Sequence, residues 1–368
     1  MAQLRIAVVG AGRLGGFHAQ KAAANPQLDL VGIVDPSAAA RDRVASQCDT
    51  KGYADYRTLL DEIDAAVVAA PTSLHFPIVH DLLDAGKHVL CEKPLCPTTD
   101  ESSRLVDTAA MRNVVLQVGH VERFNPAFEA VRSSTTDAKY IEAVRSSGFT
   151  FRSTDVGVVL DLMIHDIDLV LAMVDSPVRS VEALGVSVMG GHEDVANARL
   201  HFESGTVVTL SASRVSPTAA RTMKVWSACG YTEIDFGALS AKVIEPSDAL
   251  RNRTFDVESL SPGQVDHYRE HLFDECLPCR EVQCERIDAL EAQQADFLAA
   301  ITSGGSPRVT GVAGRDAVAV AEMVLESIGS HAWTGQVDGP VGPMAEPRPQ
   351  ILSTPKWHAQ PAQQKEAG

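Results

Sequence analysis

The run Gly10-Ala11-Gly12-Arg13-Leu14-Gly15 narrows the fold more than any other part of this chain. It follows directly on the apolar stretch Leu4–Val9 and opens an Ala- and Lys-rich segment, residues 14–24, that reads as a helix. Three glycines between a buried strand and a helix form a dinucleotide-phosphate cradle. The first permits the tight turn, the second lets a pyrophosphate reach the backbone, and the third lets helix and strand pack closely. The helix N-terminus adds unpaired N–H groups and its positive dipole end. Asp35 closes the next apolar run, where an acid binds the adenosine ribose hydroxyls. Gly10, Gly12, Arg13, Leu14, Gly15 and Asp35 are therefore the expected cofactor contacts. A carboxylate at 35 repels a 2′-phosphate and favours NAD, while Ser37 and Arg41 close by leave room for NADP.

Strand and helix patterns alternate along the first third. Strands are expected at Leu4–Val9, Leu28–Val34, 65–70, His88–Cys91 and 114–118, and helices at 14–24, Ala38–Gln47, 56–60, 75–85 and 99–113. That alternation predicts βαβ units and a parallel sheet. Beyond about residue 125 the strands crowd together, at 140–146, 178–188, Val195–Phe202, 206–213, 221–227 and Gly230–Asp235. Glu203-Ser204-Gly205 and Cys229-Gly230 are hairpin signals. Helices are expected at 156–173, 286–303 and Gly311–Ser330. The predicted fold class is α/β: an N-terminal Rossmann domain with a parallel sheet (1–122), then an α+β domain with a mainly antiparallel open sheet (123–339). A Pro/Gln-rich tail (340–368) follows.

The formal net charge of -16 argues against nucleic acid or an anionic membrane surface as partner. The sequence has no apolar run long enough for a membrane span and no signal-peptide pattern at its start, so a cytoplasmic protein is expected. Seven scattered cysteines fit free thiols better than a disulfide framework. Cys276-x2-Cys279-x4-Cys284, with His267 and His271 ahead of it, has half the spacing of a zinc site but no second CxxC, so no metal is expected.

Three further motifs carry chemistry. Ala70-Pro71-Thr72-x2-His75 ends one strand and Cys91-Glu92-Lys93-Pro94 ends another, while Gly157-x3-Asp161-x3-His165-Asp166-x-Asp168 lies on a helix of the second domain. In that order, behind the glycine fingerprint, they resemble the glucose–fructose oxidoreductase/inositol dehydrogenase (Gfo/Idh/MocA) family of NAD(P)-dependent sugar and polyol dehydrogenases, over residues 4–330. The resemblance implies a catalytic group of Lys93, Asp161 and His165, and a Lys93–Pro94 bond that is often cis. It also implies cofactor contacts from Ala70, Pro71, Thr72, His75, Glu92 and Lys93.

Oxidising a secondary alcohol needs hydride transfer and a base for the hydroxyl proton. The Asp161-x3-His165 spacing puts both side chains on one helix face, so the carboxylate is expected to orient the imidazole and favour its charged form. Lys93, at a strand's carboxyl end, is placed to stabilise a developing alkoxide. Either Lys93 or His165 could be the base.

The run Gly119-His120-Val121-Glu122-Arg123-Phe124-Asn125-Pro126, with Leu162–Asp168 and Ser211-Ala212-Ser213-Arg214, resembles one subgroup. Its members oxidise the 3-hydroxyl of UDP-N-acetylglucosamine to a 3-keto sugar for later transamination to an amino sugar of lipid A. The implied substrate contacts are Lys93, Glu122, Arg123, Asn125, Asp161, His165 and Arg214. A diphosphate needs cations, for which Arg123, Arg214 and Arg221 are the candidates. A free-sugar or inositol dehydrogenase, a reductase and a non-catalytic sensor are the alternatives. The open sheet is expected to leave an apolar face that a homodimer or homotetramer covers.

Overall fold

The computed structural model describes residues 3–151, 155–333, 336–337 and 339–342 of the chain. In order, its first part contains β1 (Leu4–Val9), α1 (Arg13–Ala24), β2 (Leu28–Val34), α2 (Ala38–Gln47), β3 (Lys51–Tyr53), β4 (Ala65–Val68), α3 (His75–Asp84), β5 (His88–Cys91), α4 (Thr99–Arg112) and β6 (Leu116–Val118). The six strands pair in parallel in the order β3-β2-β1-β4-β5-β6. Side chains alternate across this sheet. Ile6 and Val8 share a core with Ala19, Ala22 and Val44, whereas Ala7 and Val9 share one with Val79, Leu82, Leu83 and Leu105. Each fully buried leucine of this kind contributes about 1.5–3 kcal/mol. Local signals set the ends of α4: the Thr98 side chain accepts the Glu101 N–H at 3.3 Å, and Asn113 closes the helix with a φ of 53°.

After α5 (Pro126–Val131) come β7 (Ala138–Ser146), a π-helical turn (Val159–Met163) running into α6 (Ile164–Met173), then β8 (Val178–Val186), β9 (Val195–Phe202), β10 (Val207–Ser213), β11 (Ala220–Ser227), β12 (Gly230–Asp235) and β13 (Ser240–Ile244). Two short helices, α7 (Asp248–Arg251) and α8 (Pro262–Glu270), lead to β14 (Cys279–Gln283), α9 (Ala289–Ser303) and α10 (Gly311–Ser330). The eight-stranded sheet runs β14-β13-β12-β11-β7-β10-β9-β8 and is antiparallel except for β10 against β7. α6 and α10 cover one face. Both hairpin signals join antiparallel neighbours, β9 with β10 and β11 with β12.

Four details depart from expectation. The segment at 56–60 is a 3-10 turn (Tyr56–Leu59) rather than a helix, and β3, β13 and β14 carried too little apolar pattern to be seen. α9 returns to the first sheet, burying Phe297 and Leu298 with Ile6, Val8 and Leu90. A boundary at residue 122 therefore divides the sheets rather than the chain. The uncovered face of the second sheet is mixed rather than apolar: Tyr140, Trp226 and Tyr231 stack at 5.1 Å spacings beside Glu142, Lys224 and Glu233. The expected tail lies outside the described residues from 343 onward. No helix among the described residues is long and apolar enough to cross a membrane.

Candidate active site

The carboxyl ends of β1, β2, β4 and β5 converge on one edge of the parallel sheet, where ligands of such sheets bind. Gly10 leaves β1 with a φ of +105°, and a Cβ there would lie 2.4 Å from the Ala69 carbonyl oxygen. A Cβ on Gly15 would lie 1.8 Å from the Gly10 oxygen, so helix and turn touch backbone to backbone. A Cβ on Gly12 meets nothing within 4 Å. That open space faces the start of α1, whose first turn has no side-chain cap. These residues fit a dinucleotide: two glycines build the turn and the third leaves the gap a pyrophosphate fills. Arg13 and Leu14 stand exposed on the same first turn, the Arg13 guanidinium 5.5 Å from the Phe17 ring centre.

Asp35 also clamps the cradle. Its carboxylate accepts the Ala11 and Ser37 N–H groups, both at 2.8 Å, tying the end of β2 to the fingerprint. Arg41 donates to the Asp35 and Pro36 carbonyls at 3.4 Å, so it borders the same corner. Ala70 and Pro71 lie half-buried beyond β4, ahead of a 3-10 turn, Thr72–Leu74. His75 is buried, its Nε2 2.9 Å from the Ala70 carbonyl and its Nδ1 2.8 Å from that of Pro94. It braces the two loops from within rather than reaching into the cleft. Burial holds its pKa below the usual histidine value.

Lys93 follows the buried Glu92 at the end of β5, and the Lys93–Pro94 bond is cis. The Lys93 Nζ donates to the Asp161 carbonyl oxygen at 2.6 Å and lies 3.4 Å from Asp161 Oδ1. The proposed catalytic lysine and aspartate, on different sheets' elements, thus meet in space.

His165 does not follow the expected arrangement. Asp161 sits in the π-helical turn, whose wider winding breaks the one-turn stacking that an x3 spacing gives in an α-helix. Its carboxylate turns to Lys93, and His165 Nδ1 is buried without a hydrogen-bond partner. The imidazole is not favoured in its charged form. Burial, then the positive charge of Lys93 and of Arg145, with weaker contributions from His120 and Arg221, holds its pKa well below the ordinary value. His120, fully buried, stands edge-on to His165 with ring centres 6.3 Å apart, and neither of its nitrogens has a partner. Burial lowers its pKa as well.

The expected substrate arginines are mostly committed elsewhere. Arg123 is buried, and its fork meets Asp168 at 2.7 and 3.2 Å. Arg214, also buried, donates to Asp194 at 2.7 Å and to the Val156 carbonyl at 2.7 Å. Glu122 accepts from Arg145 at 2.8 Å and from Asn125 at 3.0 Å, and Asn125 reaches the Phe236 carbonyl at 3.2 Å. Arg145 completes the lattice with two bonds to Asp166 at 2.9 and 2.8 Å. Position in sequence suggested ligand contacts for Glu122, Arg123, Asn125 and Arg214. The structure instead buries Glu122, Arg123 and Asn125 at the junction of the two sheets, in bonds to Arg145, Asp168 and the Phe236 carbonyl. It holds Arg214 within the second domain, against Asp194 and Val156. Of the three candidate arginines only Arg221 is exposed. It lies opposite Arg145 in the β11–β7 register, on the sheet face that packs on α6.

Neither Arg145 nor His120 was given a role from sequence. Arg145 sits in a strand pattern with no motif around it, and a charge inside a sheet core becomes visible only once Asp166 and Glu122 are placed beside it. Cys276, Cys279 and Cys284 are free thiols, and His267 pairs with Glu275 at 3.0 Å.

Residues 4–120 match the family described as "Oxidoreductase family, NAD-binding Rossmann fold", and residues 128–231 match the GFO/IDH/MocA C-terminal domain. The chain belongs to the GFO/IDH/MocA oxidoreductase family. Within it, the chain is 35% identical over 329 residues to UDP-N-acetylglucosamine 3-dehydrogenase of Acidithiobacillus ferrooxidans, covering 89% of this chain and 98% of that one. A solved structure of that enzyme superposes with a TM-score of 0.77 at 33% identity over 89% and 98% of the two chains. A Bacillus subtilis scyllo-inositol 2-dehydrogenase (NAD(+)) is 29% identical over 58% of this chain and 68% of its own. Levoglucosan dehydrogenase, at 19% identity and a TM-score of 0.75 over 88% and 97% of the chains, shares the GFO/IDH/MocA fold. As a member of this oxidoreductase family, the protein has an NAD-binding Rossmann domain.

Proposed function

We propose that the protein oxidises the 3-hydroxyl of UDP-N-acetylglucosamine to a 3-keto sugar with NAD as hydride acceptor. The observation that carries this reading is the 35% identity to a UDP-N-acetylglucosamine 3-dehydrogenase across nearly the whole of both chains. The cleft chemistry supports it.

NAD, held by the glycine turn and Asp35, supplies the hydride-accepting ring. His165, kept neutral by its surroundings, takes the hydroxyl proton. Lys93, fixed against Asp161, hydrogen-bonds the same oxygen and stabilises the negative charge that grows on it. Arg221, the exposed cation beside this corner, receives the diphosphate. The carboxylate of Asp35 favours NAD over NADP. The same reading makes the enzyme cytoplasmic, gives its 3-keto product to the transamination that leads to lipid A, and pairs copies through the Tyr140–Trp226–Tyr231 face.

The test is NADH formation with a panel of free and nucleotide-linked sugars. Turnover with UDP-N-acetylglucosamine and little with free N-acetylglucosamine is expected. Equal turnover with inositol or a free sugar overturns the substrate assignment.

A further inference from the structure

Behind the cleft lies a chain of buried polar groups that none of these steps uses. His18, on α1, is wholly buried; Glu92 and Gln294, on the end of β5 and on α9, are nearly so. His18 Nε2 lies 2.8 Å from Glu92 Oε1, and His18 Nδ1 lies 2.9 Å from Gln294 Nε2. Gln294 Nε2 is also 3.1 Å from the main-chain carbonyl of His18 itself. A carbonyl oxygen only accepts, so the amide nitrogen must face it, and that same nitrogen donates to Nδ1. The ring proton is therefore on Nε2 and points at Glu92. The other carboxylate oxygen of Glu92 accepts the Lys93 main-chain N–H at 3.3 Å. Gly119 leaves room for this carboxylate, since a Cβ there would come within 2.8 Å of its Cδ and Oε2.

We propose that His18, its tautomer set by Gln294, is a positioning residue that fixes the Glu92 carboxylate, and through it the Lys93 main chain, against the fingerprint helix. α1 carries the pyrophosphate end of the dinucleotide site and the end of β5 carries the lysine that meets the substrate. The His18–Glu92 bond is the polar link that sets one relative to the other. A misplacement of about 1 Å between reacting groups costs on the order of 100-fold in rate. A buried carboxylate that loses its donor has reason to move.

The experiment compares His18→Leu, His18→Gln and Gln294→Leu with the parent in the full chain. Glutamine at 18 keeps an amide donor near the Nε2 position, and leucine keeps the volume without one. Two readouts are taken: the NADH dissociation constant by fluorescence titration without sugar, and kcat, KM and the primary deuterium isotope effect with UDP-N-acetylglucosamine deuterated at C3.

His18→Leu is expected to weaken NADH binding about tenfold and to lower kcat about 100-fold with a larger isotope effect. KM for the sugar stays within about twofold, because no substrate contact is lost. His18→Gln restores most of both losses. Unchanged NADH affinity and kcat in His18→Leu overturns the proposal, as does His18→Gln behaving no better than leucine. If His18→Leu does not fold, Gln294→Leu, which frees the tautomer, decides: a lower kcat with a raised isotope effect supports the proposal and parental values overturn it. The kinetic arm rests on the proposed sugar oxidation. The NADH titration does not, so failure of that reading and failure of this one are told apart.

Discussion

The Lys93 ammonium donates to the main-chain carbonyl of Asp161 at 2.6 Å and lies 3.4 Å from the Asp161 carboxylate. Both side chains are only slightly exposed, at 16% and 21%. The end of β5 and the π-helical turn of the second domain are thereby joined at the cleft. The Asp161 main-chain oxygen, not its side chain, makes the shorter contact. Replacing Lys93 with Met should lower kcat by about 10²–10⁴-fold and leave NADH binding near its parental value. Asp161→Asn should cost less, since the carbonyl acceptor remains. Steady-state kinetics beside NADH titration check this. A Lys93→Met enzyme with parental turnover would remove the lysine from the mechanism.

Arg123 and Arg221 should separate stability from substrate binding. Arg123→Gln leaves Asp168 buried without its partner and should destabilise the fold by about 3–5 kcal/mol. Arg221→Gln should unfold like the parent but raise KM for UDP-N-acetylglucosamine about tenfold, the value of one charge-assisted hydrogen bond of about 1.5 kcal/mol. KM for a free sugar should not move. Denaturant melts and paired KM measurements report both, and the opposite pattern would return Arg123 to the substrate.

The pH profile follows from the surroundings of His165. A pKa held well below 6.5 means the imidazole is already neutral, hence basic, across the neutral range. The acid limb of kcat/KM should therefore fall below pH 6.5, activity being lost only as the ring protonates. Arg221→Gln removes one of the positive charges that depress the ring, so the limb should move to higher pH. A parental limb above 6.5 would mean that His165 is not the base.

Asp35 should act on cofactor choice and on the cradle together. Asp35→Ala removes the charge that repels a 2′-phosphate and also the acceptor for the Ala11 and Ser37 N–H groups. NADPH affinity relative to NADH should rise roughly tenfold, about 1.4 kcal/mol, while absolute NADH affinity falls. Competitive titration of the two reduced cofactors measures the ratio, and an unchanged ratio would take Asp35 out of the discrimination.

How much of this was legible beforehand depended on the range of the interaction. The parallel sheet, its glycine turn and Lys93 at a strand end come from local patterns, which periodicity and turn chemistry expose directly. The short strands β3 and β14 escaped because they pair with β2 and β13, well away in sequence, and their side chains are largely exposed. β13 forms a hairpin with β12 but buries only Ala241 and Val243, too few for an apolar period. At the site, Asp161 and Lys93 were both named, yet their mutual contact spans 68 residues and crosses domains. The Asp161–His165 geometry failed for a local reason: a single π-helical turn changes which side chains stack, and nothing in the residue types announces it. Arg123 and Arg214 were read as ligand contacts because an arginine near a site looks the same whether a phosphate or a buried aspartate awaits it. Only the positions of Asp168 and Asp194 decide between them.

The central claim, hydride transfer from C3 of the nucleotide sugar, is tested most directly by label transfer. UDP-N-acetylglucosamine carrying deuterium at C3 is incubated with the enzyme and NAD, and the NADH formed is examined by mass spectrometry. The account predicts NADH carrying one deuterium and a product with its carbonyl at C3. Unlabelled NADH, with the deuterium retained in the sugar, would contradict it.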